Sequence, residues 1–257
     1  MGKVIALCTQ KGGTAKTSSA IEIATCLTKE KYKVILIDLD QQCDATRCSK
    51  AKIENTINDV FQCNCKLVDA IQKNEWYDII PATPALSRAD AVYIQRDDVY
   101  LLSDVCDILL DNYDFVVIDN PPARNVLLNM TYIAADYVIC PTLSDVNSIL
   151  GIVAVEQDLS SLRNSRNKES HAFIIGIILA CYENTVSYKK AESNIEDIAK
   201  ELPGDIFVAK VRKTTKMNEV KLLSIPLQVY ERHNNASVDY RKITNMIIKK
   251  YKEDIDV

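Results

Sequence analysis

The stretch CTQKGGTAKTSS, residues 8–19, decides the fold. It directly follows an apolar β-branched run, and its glycines and hydroxyl residues lead into a segment of helical spacing. A strand that turns through glycines into a helix presents unpaired backbone N–H groups and the positive end of the helix dipole, which together cradle an anion. Gly12 and Gly13 let the backbone curl towards phosphate oxygens, Lys16 would reach the terminal phosphates, and the Thr17 hydroxyl would ligate Mg²⁺. The plainer reading is an ordinary strand-to-helix turn with a solvated lysine. The strict pattern G-x-x-x-x-G-K-[ST] is not met, because Gln10 and Ala15 stand at its two glycines. Ala15 predicts strain wherever the loop needs glycine-only angles.

Outward from this loop, short apolar runs alternate with longer segments of helical period. Strands are expected over 3–9, 33–40, 77–82, 114–120, 136–142 and 172–180, and most are apolar on both faces, as central parallel strands are. Helices are expected near 17–30, 95–112, 124–134, 145–164, 188–201 and 235–251, while 44–66 stays unassigned. The alternation predicts an α/β fold: one domain over 1–257, a mostly parallel twisted sheet with helices on both faces. Ligands in such sheets bind beyond the carboxyl ends of the strands.

Composition narrows the function classes. A chain of 257 residues, 47% hydrophobic and 26% charged, can bury one large core, and nothing in it resembles a linker. The net charge of −4 excludes a protein coated in positive charge, so nucleic-acid binding would need a local basic patch. Nine irregularly spaced cysteines without a secretory leader point to the reducing cytosol. The tight CNC pair at 63–65 lacks the spacing and companion ligands of a zinc site. The longest apolar run, FIIGIILACY at 173–182, is about half the length that spans a membrane.

Two more strand ends carry carboxylates. In VILIDLDQQCDAT, residues 34–46, alternation puts Asp38 and Asp40 on one side of an extended chain, and their repulsion calls for a cation or a phosphate-bound metal. In DFVVIDNPPA, residues 114–123, an apolar strand ends in Asp119, the Walker B pattern for a carboxylate that holds a Mg²⁺-bound water. Taken singly, such aspartates are more often solvated or capping residues; three motifs in order change that balance.

The segment Lys11–Thr17 reads K-G-G-x-x-K-[ST], which resembles the deviant Walker A loop of the ParA/MinD family of ATPases, usually K-G-G-V-G-K-T. Residues 38–46 resemble that family's D-x-D-P-Q-G-N-A-T, with Gln41, Cys43 and Asp44 in place of Pro, Gly and Asn. Residues 113–122 resemble its Y-D-x-I-I-I-D-x-P-P, residues 134–151 its A-D-x-V-I-I-P…L-x-G, and VRKTTKMNEV at 211–220 with Pro226 its closing segment. The likeness covers about residues 3–250.

The resemblance implies a Mg-dependent, slow ATPase. Lys11, Gly12, Gly13, Thr14, Ala15, Lys16, Thr17 and Ser18 would line the phosphates of ATP, and Thr17, Asp38 and Asp119 would serve the Mg²⁺. Asp40 would orient the attacking water. Lys11, the second lysine, would reach across an ATP-dependent homodimer to the partner's nucleotide. The substitutions in the closing segment leave the adenine contacts open. Beginning at its first strand, the chain is expected to lack the N-terminal helix-turn-helix domain of larger relatives.

Within the family, ParA-like proteins bind DNA nonspecifically and move plasmids or chromosomes with a ParB-like adaptor that stimulates hydrolysis, whereas MinD-like proteins cycle on membrane. The end YRKITNMIIKKYKEDIDV is apolar enough to dock on the domain and then turns acidic, which disfavours membrane. Cations gather at 208–221 and 241–252, and Arg212, Lys213, Lys216, Lys242, Lys249 and Lys250 are the candidate DNA contacts. The expectation is a cytoplasmic, nucleoid-associated partition ATPase. A MinD-like membrane-cycling ATPase and a poorly hydrolysing ATP-switched DNA scaffold remain as alternatives, the latter prompted by Ala15.

Overall fold

A single sheet orders the chain in the computed structural model, which describes residues 2–255. Asp256 and Val257 of the acidic end quoted above lie outside the described residues. Seven strands run parallel: β1 (Lys3–Leu7), β2 (Val34–Asp38), β3 (Asp78–Ile80), β4 (Phe115–Asp119), β5 (Tyr137–Thr142), β6 (Phe173–Tyr182) and β7 (Phe207–Arg212), in the order β3-β2-β4-β1-β5-β6-β7. All six strands expected from the sequence form. The seventh, β7, escaped that reading because only Val211 in it is buried, while Lys210 and Arg212 break its apolar pattern.

Period-2 alternation sorts β1 between two cores. Val4 and Ala6 point to one, with side chains from helices Leu101–Leu110, Val126–Ala134, Val146–Arg163 and Val186–Glu201. Ile5 and Leu7 point to the other, beneath α1 (Lys16–Lys29) and the C-terminal helix Asn235–Ile255. Each fully buried Leu or Ile stabilises the fold by roughly 1.5–3 kcal/mol. Tyr32, Phe115 and Tyr251 pack ring to ring, with centroids 4.7–5.9 Å apart, and pin the C-terminal helix beside α1. Gly176 lets β6 and β7 close up, since a Cβ there would run into the Phe207 ring.

The segment left unassigned folds as two short helices, Asp44–Cys48 and Ile57–Phe61. Among the described residues no helix is long and apolar enough to cross a membrane.

Candidate functional site

The sheet order puts the carboxyl ends of β1, β4 and β2 side by side, and register aligns Leu7 with Asp119 and Asp119 with Asp38. The three loops that follow, 8–15, 39–43 and 120–125, therefore meet at one place.

In the first loop the N–H groups of Gly12, Gly13, Thr14 and Ala15 donate to no acceptor among the described residues. Gly13 has φ +77° and Ala15 φ +67°, ψ +27°, so the alanine takes up the left-handed conformation that glycine would adopt freely. Ala15 caps α1 through its carbonyl, which accepts from the Ser19 N–H at 2.9 Å, and it has no side chain to cap with. Lys16 folds back over the loop, and its Nζ donates to the Lys11 carbonyl at 3.4 Å. Burial lowers its pKa, and the charges of Asp119 and Asp40 oppose that shift.

The second loop repeats the pattern. Cys43 stands where the resemblance expects glycine, and it too is left-handed, with φ +54°. Asp38 is fully buried and spends itself on this turn: Oδ1 accepts from the Asp40 N–H at 3.0 Å, and Oδ2 from the Thr46 N–H at 2.8 Å and the Thr46 hydroxyl at 2.7 Å. Burial pushes its pKa up to about 6, against those hydrogen bonds. Asp40 accepts from the Gln42 N–H at 2.9 Å.

Asp119 differs from both. It is fully buried, and neither carboxylate oxygen has a hydrogen-bond partner. Burial, then the Asp38 charge, raise its pKa well above the carboxylate range, with the neighbouring Thr17 hydroxyl and Lys16 opposing. Next to it, Asn120 fastens the strand end, with Nδ2 donating to the Leu7 carbonyl at 3.3 Å and Oδ1 accepting from Thr131 at 2.6 Å. Pro122 lies over Gly12. Two buried carboxylates, a buried lysine and free N–H groups form a site short of one cation and open to an anion.

Lys11 projects away from this cluster. Its ammonium pairs with Asp145 at 2.8 Å, and Lys11 together with the Ser148 hydroxyl holds the Asp145 carboxyl down to about 2. Asp145 is also the N-cap of helix Val146–Arg163. A cavity of about 310 Å³ opens beside Thr17 and Ser18, lined by Ile21 and by Met217, Val220 and Pro226 of the closing segment.

The structure corrects the count of free cations. Arg212 is held bidentately by buried Asp239, Lys213 pairs with Glu183, Lys216 with Glu219, Lys249 with Glu253 and Lys250 with Asp254. Of the six residues chosen from sequence, only Lys242 makes no ion pair among the described residues. Glu219 lies within the basic segment 208–221, whereas the other four acids lie on other elements or just past the end of 241–252, where a count within the segment does not reach them.

The AAA_31 family (AAA domain) matches residues 2–171. The chromosome partitioning protein ParA of Caulobacter vibrioides is 27% identical over 259 residues, covering 98% of this chain and 96% of that protein. The ATP complex of a McdA variant from Cyanothece superposes with a TM-score of 0.84 at 19% identity, over 96% of each chain. Cobyrinic acid a,c-diamide synthase from Mycobacterium smegmatis, with ADP and magnesium, superposes with a TM-score of 0.82 at 22% identity, over 98% of this chain and 96% of that one.

Proposed function

The chain belongs to the AAA_31 family and is an ATPase of the ParA/MinD type, and from that premise we propose that it dimerises on ATP, binds DNA without sequence preference and moves a plasmid or chromosome. A ParB-like adaptor would stimulate hydrolysis. The observation that carries this reading is the orphaned Asp119 carboxylate beside Thr17, under a loop whose N–H groups are free.

The residues fit Mg²⁺: Asp119 offers two unpartnered buried oxygens and Thr17 a hydroxyl. Mg²⁺ keeps several waters and takes only one or two protein ligands beside phosphate oxygens, so a sparse protein shell suits it. When bound it would offset the carboxylate charge and polarise the phosphate oxygens. Asp38, already engaged by Thr46 and the Asp40 N–H, would act by shaping the turn that carries Asp40. The N–H groups of residues 12–15 would receive phosphate oxygens, with Lys16 neutralising charge on the terminal phosphate. Asp40 would accept a hydrogen bond from the attacking water and so orient it. Lys11 would leave Asp145 to meet the nucleotide of a second copy. A cytoplasmic, nucleoid-associated place in the cell follows from the DNA reading.

The test is retention of the purified chain on DNA of random sequence with no nucleotide, ADP, ATP or a slowly hydrolysed ATP analogue, beside Asp40→Ala. Retention only with ATP or its analogue, prolonged in Asp40→Ala, is expected. Retention independent of nucleotide, or none at low salt, defeats the DNA half of the reading.

A further inference from the structure

A surface that grips a polyanion needs cations whose charge is not cancelled and whose side chains are already ordered. The six residues chosen from sequence meet the first condition poorly, since five are paired with acids. In another group two cations meet both and a third meets the first. Lys29, at the end of α1, donates from Nζ to the Gln228 carbonyl at 2.5 Å. Arg241, on the C-terminal helix, donates from Nη1 to Gln228 Oε1 at 2.9 Å and to the Arg232 carbonyl at 2.8 Å. The Arg232 side chain is exposed beside them, and none of the three makes an ion pair among the described residues.

Gln228 is the scaffold. It is 1% exposed, its N–H donates to Glu22 at 3.0 Å, and its amide donates to the Ser237 carbonyl at 2.6 Å. Glu22 is the acid beneath the group, but its two oxygens are taken by the Leu227 and Gln228 N–H groups, and burial pushes its pKa up to about 7. It therefore fixes the scaffold and leaves the cations uncompensated by contact. Burial lowers the pKa of Lys29, and the charges of Arg232 and Arg241 add to that shift while Cys26 and Glu22 oppose it, so the three cations feel one another. Like charges held together are destabilising unless something answers them.

We propose that Lys29 and Arg241, fixed around Gln228, and the exposed Arg232 beside them are the phosphate-contacting surface by which the chain holds a DNA duplex without reading its sequence. The proposal rests on the DNA-binding part of the reading above. Neighbouring His233, Asn234 and Asn235 are polar, and of the exposed apolar neighbours Val229 and Tyr230 the latter donates its phenol to Glu219 at 3.0 Å; three cations among polar groups suit a phosphate backbone, and the vesicle arm of the test covers the apolar pair.

The test compares the full chain with Lys29→Gln/Arg232→Gln, measuring affinity for duplex DNA of random sequence, with ATP and Mg²⁺, across a salt series. Arg232 makes no side-chain hydrogen bond among the described residues, and a thermal melt of the double variant checks that it folds. Each lost phosphate contact lowers the slope of log affinity against log salt by about 0.9, so the slope is expected to fall by about 1.8 where one copy of the dimer faces the duplex and by about 3.6 where both do, and affinity at 0.1 M salt by roughly 60-fold to 4,000-fold. Lys73→Gln/Lys200→Gln, which removes two cations already paired with Asp78 and Asp197, is expected to bind as the parent does. If the parent binds and the double variant keeps its slope, the patch is wrong while the DNA reading stands. No ATP-dependent binding by the parent overturns both. If the double variant instead loses only binding to phosphatidylglycerol vesicles, the patch is a membrane surface and the proposal is overturned.

Discussion

Replacing Ala15 with glycine should stabilise the protein. The left-handed conformation at φ +67°, ψ +27° costs a non-glycine residue about 1–2 kcal/mol. Glycine removes that strain but frees the unfolded chain, which costs about 0.4–1 kcal/mol. Ala15 is only partly buried, so the lost methyl forfeits little packing. The balance favours Ala15→Gly by about 0.5–1 kcal/mol, or roughly 1–4 °C in Tm for a domain of this size. Cys43→Gly is the informative contrast. The same relief applies at φ +54°, but Cys43 is fully buried, and the lost side chain and the cavity it leaves outweigh the relief, so Tm should fall. Differential scanning calorimetry without nucleotide measures both. An Ala15→Gly protein that melts at or below the parent would refute the strain argument, and with it the idea that the loop is held in a glycine-like shape against the preference of its own residue.

Asp119→Asn should raise Tm without nucleotide by a few °C, since it replaces a buried unpartnered carboxyl that can ionise beside Asp38 only at a cost, yet abolish ATP hydrolysis; a lowered Tm would mean that the carboxylate has a structural partner. Glu22 titrates in the folded protein near pH 7 rather than at 4.5, so the folded state binds the extra proton. Stability should therefore fall as pH rises between about 4.5 and 7, by at most roughly 3 kcal/mol, and urea melts of Glu22→Gln should show that slope flattened. Asp145→Asn breaks a pair in which both side chains are about 40% exposed, and Tm should move by less than about 1 kcal/mol equivalent. Because the Asp145 pKa is depressed to about 2, the pair contributes fully above about pH 4 and is lost as pH falls through about 2, so the gap between parent and variant should shrink from pH 4 downwards and close below about pH 2.

The phosphate loop and the strand-end aspartates were legible because they are local: a strand, a turn and a helix start written in consecutive residues. Six strands were legible for the same reason, each a short apolar run. β7 was not, because it packs with only one residue fully buried and carries Lys210 and Arg212, whose partners Glu192 and Asp239 lie on distant helices. Two pairs in the basic segments, Arg212–Asp239 and Lys213–Glu183, were hidden for the reason that hid β7, their acids lying on distant elements, whereas Lys216, Lys249 and Lys250 pair locally at i,i+3 or i,i+4. Gln228 could not have been singled out either, since its importance lies in what converges on it from α1 and the C-terminal helix.

Register explains why two neighbouring aspartates serve different ends. β2 and β4 pair with Asp38 opposite Asp119, both at the last position of their strands and both fully buried. Two such carboxylates cannot both stay charged without compensation. The loop after β2 answers Asp38 with two N–H groups and the Thr46 hydroxyl, and that hydroxyl in turn accepts from the Ala82 N–H at 2.9 Å, so Asp38 ties together the ends of β2 and β3. The loop after β4 leads instead into Pro121 and Pro122, which have no N–H to give, and Asn120 turns its amide towards Leu7 and Thr131. Asp119 is thus left with empty lone pairs by the same sequence that makes its neighbour rigid, and the cation deficit falls beside Thr17, at the start of α1, where phosphate oxygens would arrive.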